Sequence, residues 1–82
     1  MKTIYKYVIE RDGIEMPKNA QIVHVGTHID EFCIWAIVDT EADTETRYFD
    51  VVGTGHELAS GVKYLDTVHQ PPFVWHIVET NL

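Results

Sequence analysis

"FCIWAIVD", residues 32–39, decides the fold. A strand with one face in water alternates apolar and polar residues, and this one is apolar at odd and even positions alike. Both of its faces are therefore expected to be covered, which makes it the central strand of the domain. A lone cysteine, Cys33, sits inside it and reads as a small apolar core residue in a reducing compartment. Phe32 to Val38 is far too short to cross a membrane as a helix, which takes about 20 residues.

Working outward, the rest of the chain also reads as strand. "TIYKYVI" (3–9) and "QIVHVGT" (21–27) precede the central segment and are rich in β-branched or aromatic residues. Between them, "GIEMPKNA" is read as a connection, with Pro17, Lys18 and Asn19 marking a turn. After the central strand, "TEADTET" (40–46) is read as a polar, acidic hairpin loop, and "RYFDVVGTG" (47–55) as the next strand. "VKYLDTVH" (62–69) and "FVWHIVET" (73–80) form a hairpin around Gln70, Pro71 and Pro72. With Pro71 and Pro72 as its central pair, the register sets His69 opposite Val74, Val68 opposite Trp75 and Thr67 opposite His76. No apolar stripe of helical period lasts three turns, and at most one helical turn fits near 56–60.

The expectation is thus one all-β domain over 1–82, a small antiparallel β-barrel or β-sandwich of six to seven short strands. At 82 residues its core is thin, and one cysteine provides no internal disulfide, so a homodimer, by edge-strand pairing, is the expected reinforcement.

Thirteen acids against six scattered bases give a net charge of −7. Direct binding to nucleic acid or an anionic membrane needs clustered Lys and Arg and is not expected. An acidic surface suits a basic protein partner. The opening residues lack the apolar core of a signal peptide, so a soluble cytoplasmic protein is expected.

Ordered blocks along the chain carry a resemblance. "MKTIYKY", "IEMPKNAQIVHV", "CIWAIVD", "TETRYF", "VGTGHEL" and "FVWHIVE" together resemble a family of short uncharacterised phage and prophage proteins. Such chains start MKTIYKY and carry an EMP-x-x-A-x-I segment, a C-x-W-A-x-V-D strand, a GTGH turn and a final F-V-W-H. The resemblance implies a phage or prophage accessory protein acting in the host bacterial cytoplasm. It brings no established activity; by analogy, it implies a host-takeover or anti-defence factor that works by binding a host protein.

The candidate sites are few. "GTGH" follows a strand, as a phosphate cradle does, but lacks the downstream Lys-Ser/Thr pair and a long helix. It reads first as a bend in which Gly53 or Gly55 supplies a positive φ or a bulge. Thr54, Gly55 and His56 are the first-choice ligand-binding residues. Asp39, Glu41, Asp43 and Glu45 form an acidic stretch, either a solvated loop tip or a partner-binding element. Five histidines, His24, His28, His56, His69 and His76, show no metal-ligand spacing, so no metal or cofactor is expected. His76, facing Thr67 and near Asp66, reads as a satisfied cross-strand polar pair.

Trp35, Trp75, Phe49 and Phe73 are core candidates. Tyr5 and Tyr7 share one face of the first strand and suit either the core or a subunit interface. His56, Glu57, Asp66 and His76 are the right types for acid–base work and Thr54 for a nucleophile, but nothing in their spacing brings them together, and no catalytic residue is assigned. The leading reading is a non-enzymatic accessory protein that binds and masks a host protein. A small-ligand binder or sponge, for instance for a nucleotide signal, and then a small hydrolase, are the alternatives.

Overall fold

The computed structural model describes residues 1–80 as seven strands without a helix. They are β1 (Lys2–Val8), β2 (Ile14–Pro17), β3 (Gln21–His28), β4 (Glu31–Asp39), β5 (Thr44–Gly53), β6 (Lys63–Gln70) and β7 (Phe73–Thr80). Two antiparallel sheets pack together, one ordered β1-β4-β3 and the other β2-β5-β7-β6. Edge strands β3 and β6 approach each other, yet the sheets do not join into a closed barrel. Of the two expected architectures, the layered one is the fold.

β4 is the middle strand of its sheet, as its composition predicts. Ile34, Ala36 and Val38 point inward and meet Val25 of β3, Ile14 and Met16 of β2, Phe49 of β5, Val68 of β6 and Ile77 of β7. The other face of β4 is covered differently from the expectation. No third layer lies over Cys33, Trp35 and Ile37. Their cover is the side chains of cross-strand neighbours, Val8, Lys6 and Ile4 on one flank and His24 and Gln21 on the other, the His24 ring lying over Gly26 beside Cys33. Cys33 is buried by this arrangement, whereas Trp35 and Ile37 are only half-buried. Trp35 therefore belongs to an uncovered sheet face and not to the core.

Two connections differ from their sequence reading. Ile14–Pro17 is a strand paired with Arg47–Thr44, and only Lys18 and Asn19 turn, with Asn19 at φ +64. Gly13, at φ +95, lets the chain enter β2 where a β-carbon would strike Thr46 and Tyr48 at 2.8 Å. The 40–43 segment is not a hairpin loop. β1 and β3 already occupy both edges of β4, so the chain crosses to the other sheet and β5 begins at Thr44. The β6–β7 hairpin has the register read from the sequence, with His69↔Val74, Val68↔Trp75 and Thr67↔His76. Its Pro71–Pro72 peptide is cis.

Candidate functional site

The Gly-Thr-Gly-His corner closes β5. Gly55 adopts φ +86, so the bend reading accounts for that glycine. The corner splits its two polar side chains between sheet faces. Gly53 pairs with Trp75 on the inner face, and the His56 ring lies over it, within 3.1 Å of where a β-carbon would stand. Thr54 turns to the outer face. Its Oγ1 donates to Val74 O at 3.3 Å and meets His76 Nε2 at 2.8 Å. Thr54 and His56, taken from the sequence as one candidate site, thus work on different surfaces, while Gly55 is exposed at the turn between them.

His76 is the hub of a polar chain across the outer face of the four-stranded sheet. Its Nδ1 lies 3.0 Å from Thr67 Oγ1, which in turn lies 2.5 Å from Tyr64 Oη. Every contact in the chain can be satisfied at once, with Thr54 donating to the Val74 carbonyl and accepting from Nε2–H, and the Thr67 hydroxyl bridging Nδ1 and Tyr64. Asp66 is spent elsewhere, accepting from the Thr67 backbone N–H at 2.8 Å.

The four acidic candidates lie at the opposite end of β4, and they do not act alike. Asp39 Oδ1 accepts from the Glu41 backbone N–H at 3.1 Å and lies 3.5 Å from the Met1 ammonium. The Glu41 hydrogen bond, followed by that positive charge, holds the Asp39 carboxyl below its ordinary value. Glu41 reaches the same ammonium at 3.9 Å and stays largely in solvent. Asp43 accepts from the Lys18 N–H through its backbone carbonyl, leaving its carboxylate exposed. Glu45 turns back to cap the Asn19 N–H at 3.2 Å, which makes it a structural residue of the β2–β3 turn. Glu41 and Asp43 remain as the outward charges of this rim.

Sequence reasoning missed a half-buried ion pair. Arg47 Nε and Nη2 grip the Glu79 carboxylate at 2.7 and 2.8 Å, and Nη1 donates to Ala20 O at 2.6 Å. The guanidinium also sits over the Phe49 ring, 5.9 Å from its centre. Each partner's hydrogen bond dominates the other's titration: Arg47 holds Glu79 below the usual carboxylate range, and Glu79 raises Arg47. The pair forms one wall of a cleft of about 570 Å³, which Glu45, Tyr48 and Lys63 also line. The two residues are 32 positions apart, so only the pairing of β5 with β7 reveals them.

A further uncommitted feature is the outer face of the three-stranded sheet. Ile4, Ile37 and Gln21 stand in one cross-strand row; Lys6, Trp35 and His24 form the next. Trp35 and His24 rings lie 5.1 Å apart, and Lys6 Nζ reaches His28 Nδ1 at 2.9 Å. Ile4 remains 58% exposed. This apolar strip runs directly into the Asp39 end of β4, and so into the acidic rim.

Among the described residues, no group of three or more His, Cys, Asp or Glu side chains stands ready to hold a metal ion. Nor, among the described residues, is any helix long and apolar enough to cross a membrane. No curated protein and no solved structure matches the chain. Over residues 1–82 it does match the family described as Domain of unknown function (DUF7352), and it belongs to that family.

Proposed function

We propose that this chain is a non-enzymatic phage-type accessory protein that binds and masks a host bacterial protein in the host cytoplasm, an anti-defence role being one such use. The observation that carries the reading is the strip of Ile4, Trp35 and Ile37 on a sheet face with no covering layer, ending at Glu41 and Asp43. Interfaces draw their energy from a few large apolar or aromatic anchors in a polar rim, and charged rims speed encounter and choose partners. An aromatic anchor bordered by acids fits a partner surface with an apolar recess and a basic border. The net charge of −7 favours the same kind of partner.

The test starts with capture from bacterial lysate and continues with the captured protein purified. Trp35→Ala is expected to weaken binding by about 30-fold or more, the scale of losing an anchor worth about 2 kcal/mol. Glu41→Lys with Asp43→Lys is expected to slow association and steepen the loss at low salt. Binding unchanged in both variants overturns this reading. The ligand-sponge alternative, centred on Thr54 and His56, instead yields a thermal shift with a nucleotide panel and unaltered ligand on recovery; a hydrolase yields a converted product.

A further inference from the structure

The two sheets present four edges, and three are protected. β2 is four residues long and ends in Pro17. β3 carries a bulge between Ile22 and His24 and faces β6, whose own bulge lies between Tyr64 and Asp66. Short strands, prolines, bulges and charged side chains, lysine above all, are the devices that keep a sheet edge from recruiting another strand. β1 has only the last, in Lys2 and Lys6, which a register that keeps them apart leaves without like-charge opposition. It is seven residues long, unbulged, and paired with β4 without a register shift.

The hydrogen-bond phase of β1 follows from its two ends. Thr40 N–H donates to Met1 O, and Ile9 N–H to Phe32 O, each between residues directly opposite. In an antiparallel pair such bonding residues recur at every second position. Odd residues of β1 therefore bond to β4. The N–H and C=O groups of Lys2, Ile4, Lys6 and Val8 point away from the sheet, along the open edge. Both faces of this edge also show large apolar groups, Ile4 at 58% exposure on the outer face and Tyr5 at 43% on the inner.

We propose that two copies of this chain pair antiparallel along β1, with Tyr5 facing the Tyr5 of the partner subunit on the two-fold axis. Backbone phase requires even residues to bond even residues. Centring on Tyr5 sets Lys2 opposite the partner's Val8 and Ile4 opposite the partner's Lys6, using the whole strand. Sliding by one repeat either way sets Lys2 against Lys6, or Lys6 against itself, and like charges directly opposite destabilise a pair. Charge thus selects a single self-complementary register. It joins the three-stranded sheets of both copies into one and brings two Trp35 faces onto a common surface.

Sedimentation at high micromolar concentration is expected to show a species of twice the 9.4 kDa chain mass. Lys6→Pro removes an N–H that β4 does not use, so it is expected to return the chain to the monomer with its strand content intact. Cysteines read the register directly, because facing non-hydrogen-bonded positions lie close enough for a disulfide. Tyr5→Cys is expected to cross-link to itself under mild oxidation. Thr3→Cys and Tyr7→Cys are expected to cross-link only when mixed, since each faces the other across the axis. The buried Cys33 does not compete. A 9.4 kDa species alone, a dimer that survives Lys6→Pro, or self-linking of Thr3→Cys without that of Tyr5→Cys overturns the proposal. Should Lys6→Pro fail to fold, mass and cross-linking decide by themselves.

Discussion

Ile29 shows how a single residue works against its local geometry. It forms, with Asp30, the two-residue turn joining β3 to β4, and both adopt positive φ, +50 and +62. That geometry suits the right-handed twist of a hairpin and favours Asn-Gly or Asp-Gly. A β-branched side chain there crowds its own backbone, at a cost of about 1–2 kcal/mol. Ile29 is fully outside the core, at 81% exposure, so nothing compensates. Ile29→Asn is expected to stabilise the fold by about 1 kcal/mol, raising Tm by about 4–8 °C for a chain of this size. Urea denaturation of the two proteins side by side checks it. The turn was hidden in the sequence because "TH-ID-EF" holds no glycine or asparagine, the residues by which such turns are recognised.

Between elements, the decisive contact is the one Arg47 makes. It ties β5 to β7 through Glu79 and to the β2–β3 turn through the Ala20 carbonyl, so one side chain fastens two strands of the four-stranded sheet to the connection that leads into the other sheet. Both side chains are mostly buried, at 17% and 16% exposure, and removing one charge leaves the other poorly solvated. Glu79→Gln is expected to cost about 1–3 kcal/mol. The pH dependence carries a definite sign. Glu79 has a folded-state pKa below its unfolded value, near 4.3, so its stabilisation is complete above that value and fades as pH falls through the folded one. The stability difference between wild type and Glu79→Gln is therefore expected to shrink below about pH 4, measured by denaturation at a series of pH values. Constant spacing between the two curves down to full acid unfolding sinks the assignment. Hairpins were legible at this scale where proline marked the turn, as at Pro71 and Pro72. The β4–β5 connection was misread because an acidic tip looks alike whether it joins neighbours or crosses between layers.

For the whole molecule, six of the seven strands and the middle position of 32–39 could be read from apolar period and turn residues alone, while the four-residue β2 was taken for a connection because Pro17 and Asn19 mark its end as a turn. What could not be read was which face of that strand lacked a second layer. Composition registers that Cys33, Trp35 and Ile37 avoid water, but not that flanking side chains, rather than another sheet, screen them. The same limit applies to the GTGH corner. Sequence adjacency suggested one site at Thr54 and His56, while the end of β5 sends the two to opposite sides, and the actual partner of Thr54 is His76, 22 residues on.

The placement of the two indoles gives the protein a built-in pair of optical reporters. Trp75 lies within the aromatic end cluster, 6.1 Å from Phe32 and 5.5 Å from Phe73, and its Nε1 donates to Gln70. Trp35 lies on the other side of the molecule's first layer, against the His24 imidazole. In a chain keeping only Trp35, emission should shift when a binder settles on that face. A chain keeping only Trp75 should stay silent to that event until the strands themselves come apart, separating surface occupancy from loss of structure without any added dye.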